Sequence, residues 1–252
     1  MNVVNGHAVI EIDKVTKTFG GVVANKDISL KVQEGAITGM IGPNGSGKTT
    51  LFNSIVGFHP IDTGSIKFEG NEISKLRVQE IARLGLLRTF QQTRIYGKMN
   101  CVQNMLISIP HRKAGLLDIF ADHRAEDRER AEHLLEFVGL YEKRWLMGGD
   151  LSFGQQKLLE FAMALMNEPS VLMLDEPTAG INPTLINGLI DRLKRANEEF
   201  GITLFVIEHN MRVIMNLAEH IYCLAHGELL AEGTPGQIQN DQRVIDAYLG
   251  AH

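Results

Sequence analysis

Residues 42–49 read Gly-Pro-Asn-Gly-Ser-Gly-Lys-Thr and fit the pattern GxxxxGK[ST] without a mismatch. The pattern constrains the fold because it works in one setting only: a buried strand must run into the glycines and a helix must leave from the lysine. Both flanks comply, with an apolar strand at Ala36–Ile41 and a helix expected from near Lys48. Glycines let backbone N–H groups turn inward around phosphate oxygens. The helix N-terminus adds a partial positive charge. Lys48 is placed to reach terminal phosphates and the Thr49 hydroxyl to bind Mg²⁺.

The rest of the chain supplies a matching α/β frame. Ala8–Phe19 alternates apolar and polar residues as a half-exposed strand does. Further strands are expected at Ile28–Val32, Ser65–Phe68 and Leu86–Phe90. From Gln91 to Met166 the pattern turns helical, as in RAEDRERAEHLLEF at Arg124–Phe137, whose charges read as a solvated face. Strand–helix alternation then resumes. Val171–Leu174 and Thr203–Ile207 are unbroken apolar runs suited to parallel strands covered on both faces. Between them, Asn182-Pro183 predicts an N-cap with proline in the first turn of a helix that stops at Gly201. The expected fold is a mainly parallel α/β sheet interrupted by a helical insertion.

Four further residues end apolar strands. Val171–Leu174 delivers Asp175 to the carboxyl edge of the sheet, where open α/β sheets bind nucleotide. A carboxylate there can hold Mg²⁺ through its water shell. Glu176 is placed to take a proton from an attacking water. Gln91 follows Leu86–Phe90, and His209 follows Thr203–Ile207, so four strand ends would converge on one phosphate. Leu151-Ser152-Phe153-Gly154-Gln155 opens another helix. Ser152 there is either an N-cap or part of an anion site, and the residues alone leave both open.

Composition excludes other classes. The net charge of −5 argues against a general nucleic-acid binder, which needs a basic surface. No apolar run reaches the length of a membrane span, and Met1–Lys14 lacks the pattern of a signal peptide. Cys101 and Cys223 are isolated, which fits a reducing compartment, and Cys223 within Ile221–Leu224 is expected to pack.

Taken together, these motifs resemble the ATP-binding cassette (ABC) ATPase family, in order and over nearly the whole chain. The resemblance makes Gly42–Thr50 the Walker A loop, Gln91 the Q-loop, Leu151–Gln155 the signature, Val171–Glu176 Walker B and His209 the switch histidine. It implies a P-loop NTPase (RecA-like) core with an N-terminal antiparallel β subdomain and an inserted helical subdomain. The nucleotide-binding core would be residues 1–90 and 167–252 and the helical part residues 91–166, together one cassette. It further implies ATP on Gly42, Asn44, Gly45, Ser46, Gly47, Lys48, Thr49 and Thr50, with Phe19 against adenine. Mg²⁺ would be held by Thr49, Gln91 and Asp175, and catalysis would involve Glu176, His209 and Gln91.

Two such cassettes pair head-to-tail, so Ser152, Gly154 and Gln155 would serve the partner's ATP. The signature departs from the family's Leu-Ser-Gly-Gly-Gln at Phe153, and Asn182 stands where aspartate is common.

A narrower likeness is to branched-chain amino-acid importers, through Arg88–Gln91, Ala179–Pro183, Ile207–Asn210 and Ala247–Gly250. It implies integral membrane permease subunits and, indirectly, a periplasmic or extracellular binding protein, with the chain peripheral on the cytoplasmic face of the membrane. Soluble cassettes acting on ribosomes or DNA fit less well, since the chain has one cassette and no heptad run. Lipopolysaccharide-export cassettes are the nearer rival. The stretch after Gln91, with Tyr96 and Met99, either docks a permease helix or packs inside the helical part.

Overall fold

The computed structural model describes residues 7–89, 95–109 and 125–249. In chain order the first elements are β1 (Ala8–Phe19), β2 (Val22–Gln33), β3 (Ile37–Ile41), α1 (Lys48–Ile55), β4 (Thr63–Phe68) and β5 (Asn71–Glu72). There follow α2 (Val78–Arg83), β6 (Leu86–Arg88), α3 (Cys101–Ile107), α4 (Ala125–Phe137), α5 (Phe153–Leu165) and β7 (Val171–Asp175). The last are α6 (Pro183–Phe200), β8 (Thr203–Ile207), α7 (Met211–Leu217), β9 (His220–Ala225), β10 (Glu228–Gly233), α8 (Pro235–Gln239) and α9 (Gln242–Leu249).

The chain divides into two compact units, one comprising Met1–Arg88, Ser170–Pro177 and Leu193–His252. Its first sheet is antiparallel with the order β2-β1-β4-β5, and its second runs β10-β9-β3-β8-β7-β6. In the second sheet β9, β3, β8, β7 and β6 pair in parallel and β10 adds an antiparallel edge. Every residue of β3, β7 and β8 is buried, as continuous apolar strands covered on both faces must be. β1 and β2 alternate instead, and their inward residues Ile10, Val15, Ile28 and Val32 join α1 and the parallel strands in one core. Phe52 of α1 meets Phe205 of β8 at 4.7 Å between ring centroids, and truncating either to alanine would cost about 3–5 kcal/mol.

The second unit comprises Thr89–Pro169 and Thr178–Arg192. α3, α4 and α5 bury Met105, Leu134, Leu135, Leu159 and Phe161. Asn100 and Gln103 form a capping box on α3. One buried side chain organises the preceding loop. The Asn104 amide donates to the carbonyls of Tyr96, Met99 and Asn100, and its oxygen accepts from Tyr96 N–H.

Sequence and structure differ in the bounds of several elements, and the edge strand β10 was not expected. β2 begins at Val22, because its first residues form an exposed hairpin arm against the end of β1. β6 ends at Arg88, and Phe90 and Gln91 lie outside the described residues. β9 takes up the run around Cys223, which is fully buried as expected. Asn182 Oδ1 accepts from Thr184 N–H and Thr184 Oγ1 at the start of α6, as the Asn-Pro pair predicts.

Candidate functional site

The glycine-rich loop leaves β3 and enters α1, as its pattern requires. Gly47 caps α1 with φ +97°, a conformation a side chain would resist, and a Cβ there would meet the Ala24 carbonyl oxygen at 2.3 Å. Three separate parts of the same unit hold the loop. Asn25 Nδ2 donates to the Gly47 carbonyl at 3.1 Å, and Gly227 N–H donates to the Ser46 carbonyl at 3.2 Å. Gly42 N–H donates to the Tyr248 hydroxyl at 2.8 Å.

Lys48 is buried inside the loop. Its Nζ donates to the carbonyls of Gly42 (2.8 Å) and Pro43 (2.9 Å) and to Ser46 Oγ (3.3 Å). Burial lowers its pKa from the ordinary lysine value, while the nearby carboxylates of Glu176 and Asp175 act in the opposite sense. Asn44, Gly45 and Thr49 are exposed, and Thr50 is half-buried one residue further along α1.

Asp175 and Glu176 arrive at the end of β7. Asp175 is buried and pairs with Arg88 of β6 at 2.6 Å, and Arg88 also bonds the side-chain oxygen of Asn53. The other carboxylate oxygen, Asp175 Oδ1, is buried without a hydrogen-bond partner among the described residues. An orphaned carboxylate oxygen and an exposed threonine hydroxyl are hard oxygen donors, so these residues fit Mg²⁺. Glu176 takes φ +49°, a sparsely populated conformation for glutamate, with its N–H bonded to the Ile207 carbonyl at 3.0 Å. Its side chain meets the segment after β8, where His209 Nε2 lies 2.6 Å from Glu176 Oε1.

Phe19 ends β1 and is 43% exposed, its ring edge-on to His59 and with Lys17 Nζ 5.1 Å from its centroid. It is therefore a surface ring and not a core residue. In the second unit, Ser152 caps α5 in a capping box with Gln155. Phe153 stays 47% exposed and lies so close to Gly180 that a Cβ there would stand 2.7 Å from its ring. Gln91 is outside the described residues.

The sequence matches the ABC transporter family over residues 25–179 and a branched-chain amino acid ATP-binding cassette transporter family over residues 228–252. The first of these spans more than half of the chain. This chain belongs to the ABC transporter family. It is 41% identical over 250 residues to the Pseudomonas aeruginosa high-affinity branched-chain amino acid transport ATP-binding protein BraF, covering 96% of this chain and 98% of the relative. It is 36% identical to LivG of Escherichia coli K12, a protein of the same description, at the same coverage. Among solved structures, the ADP conformation of the cassette MJ1267 superposes with a TM-score of 0.86 at 32% identity, covering 97% of this chain and 99% of that one. A dimeric cassette, MJ0796 bound to ADP and Pi, superposes with a TM-score of 0.74 at 27% identity, covering 90% and 98%.

As an ABC transporter ATPase the chain binds and hydrolyses nucleotide. Three residues of the first unit make contacts that sequence reasoning did not assign: Asn25 and Tyr248 to the loop, and Arg88 to Asp175. Arg88 leaves a local signal, being an arginine at the end of a buried apolar strand. Asn25 and Tyr248 leave none.

Proposed function

We propose that this cassette is the ATP-hydrolysing subunit of an importer for branched-chain or other neutral amino acids. It would act on integral membrane permease subunits, together with a second cassette and, indirectly, a periplasmic or extracellular binding protein. The observation that carries the substrate class is the likeness to amino-acid transport subunits over both the cassette and the C-terminal segment. Residues 1–90 and 167–252 form the nucleotide-binding part in this reading and 91–166 the signature part, with Thr178–Arg192 grouping by contacts with the latter.

ATP phosphates lie against the backbone N–H groups of the 42–50 loop, with Lys48 leaving its carbonyl partners for the β- and γ-phosphates. Adenine stacks on the exposed face of Phe19. Thr49, Asp175 and Gln91 would hold Mg²⁺, which would supply positive charge to offset that of the phosphate oxygens. Glu176 accepts the proton of the attacking water, and the hydrogen bond from His209 supports a role for that histidine in aiming the carboxylate. Ser152, Gly154 and Gln155 complete the partner cassette's site, where the N-terminus of α5 favours an anion.

Among the described residues no helix is long and apolar enough to cross a membrane, which fits a subunit bound to the membrane's cytoplasmic face through its permease. In the second unit, Tyr96, Trp145, Leu146 and Met147 are all exposed, and main-chain bonds join residues 97–102 to 144–149. An apolar cluster of this kind suits a permease helix.

The test is ATPase activity of the complex reconstituted with its permease and binding protein. Leucine, isoleucine, valine, alanine and small amides would be compared with sugars and metal chelates. Stimulation by a neutral amino acid or amide is expected. Stimulation by another class alone would overturn the substrate assignment.

A further inference from the structure

The P-loop of this chain is held from a direction that its motif does not explain. At Gly42 the backbone leaves the β3 ladder, and a Cβ there would stand 2.1 Å from the Leu224 carbonyl oxygen of β9. That close approach leaves no room for a side chain at this position. Gly42 is buried, so its N–H needs an acceptor inside the protein. The acceptor is the Tyr248 hydroxyl at 2.8 Å, delivered from 206 residues away by the last helix, α9. Burial pushes the Tyr248 pKa up to about 12, so its phenol keeps its proton at neutral pH.

Two further observations tie the same helix to the loop. Val244 of α9 is buried, which anchors the helix beneath its tyrosine. Asp246 and Ala247 line a cleft of about 360 Å³ together with His226 and Pro43–Ser46 of the loop. The carbonyl of Gly42 meanwhile accepts from Lys48, so this one residue is pinned on both sides. Were Lys48 to turn to a phosphate, the carbonyl side of Gly42 would be released and its bond to the tyrosine would remain.

We propose that Tyr248 is a positioning residue for ATP binding, through which the C-terminal helix α9 sets the loop for phosphate. This rests on the reading of residues 42–50 as the phosphate cradle. Without the hydroxyl, a buried N–H is left unpaired and the loop shifts to bring it to water, which misaligns the neighbouring N–H groups. Glu176 and His209 sit on other strand ends and keep their bond. The loss therefore falls on binding and spares turnover.

The experiment compares wild type with Tyr248→Phe, which keeps the ring and its packing. Equilibrium binding of a fluorescent ATP analogue, steady-state hydrolysis and amide hydrogen exchange at Gly42 would be measured on the full chain. The expected result is a rise of about 3- to 10-fold in both Kd and KM, kcat within twofold, and faster exchange at Gly42. Val244→Ala keeps the hydroxyl but weakens its anchor, so it should raise Kd in the same direction and by less. If both variants lower thermal stability alike and neither changes Kd, the tyrosine is structural and the proposal fails. Weaker binding without faster Gly42 exchange also overturns it, as does faster exchange with unchanged Kd. Failure of wild type to bind ATP would instead remove the phosphate-cradle reading beneath it.

Discussion

In the proposed mechanism Glu176 carries the heaviest demand of any single side chain. Glu176→Gln keeps size and a hydrogen-bonding oxygen but cannot take a proton, so turnover should fall by about 10²-fold or more with ATP still retained. Hydrolysis and nucleotide retention measured in parallel check this, and near-normal turnover would refute the base. Arg88 gives a different kind of test. It and Asp175 are both buried, so Arg88→Met leaves an uncompensated carboxylate and should destabilise the fold by about 3–5 kcal/mol. Adding Asp175→Asn in the same chain should recover most of that loss in urea denaturation, and additive effects would count against the pair.

These two residues also mark how far single positions could be read from sequence. Asp175 and Glu176 end an apolar strand, so their place at the sheet edge follows from local pattern. The partner of Asp175 does not, because β6 and β7 become neighbours only through the sheet order. Tyr248 is harder still, since nothing near it in sequence points to residue 42.

At the level of elements, β1 and β4 meet at a polar joint. The Asp62 carboxylate accepts from Thr18 N–H (2.6 Å), Thr18 Oγ1 (2.7 Å) and Lys17 Nζ (3.1 Å). The Thr18 hydroxyl first, and then Lys17, hold its pKa below the usual carboxylate value. A group depressed in this way stabilises the fold above its unfolded pKa of roughly 3.9, and loses that contribution as pH falls through its folded value. Asp62→Asn should therefore lower Tm at pH 7 and flatten its decline below about pH 4. Parallel wild-type and variant curves from pH 7 to 3 would contradict it.

Periodicity located β3, β7 and β8 because each is buried on both faces. It understated β2, whose first two residues are exposed valines that carry no buried face to read. β10 was missed for a related reason. It is an edge strand with a mixed burial pattern, and only its pairing with β9 defines it.

For the whole molecule the question is what the second unit presents to a partner. Sequence could not separate a docking role for Tyr96 and Met99 from internal packing, because the choice depends on how Asn104 folds the loop. Tyr96 is 53% exposed and Met99 half-buried. Tyr96→Glu should accordingly leave the isolated subunit folded and basally active, and abolish substrate-stimulated ATPase activity in the reconstituted complex. Normal stimulation in that complex would exclude Tyr96 from the docking surface.

The self-bonded lysine of the loop has a consequence for selectivity. Any anion that recruits Lys48 must displace three protein oxygens that already accept its protons. A lone inorganic ion supplies one charged centre and must offset that exchange unaided. A nucleoside polyphosphate brings a chain of centres, so contacts along the backbone N–H row can offset the exchange at the ammonium. With residues 42–50 as the proposed phosphate cradle, the loop would act as its own competitive ligand, favouring several linked phosphates over one before any base or ribose is touched.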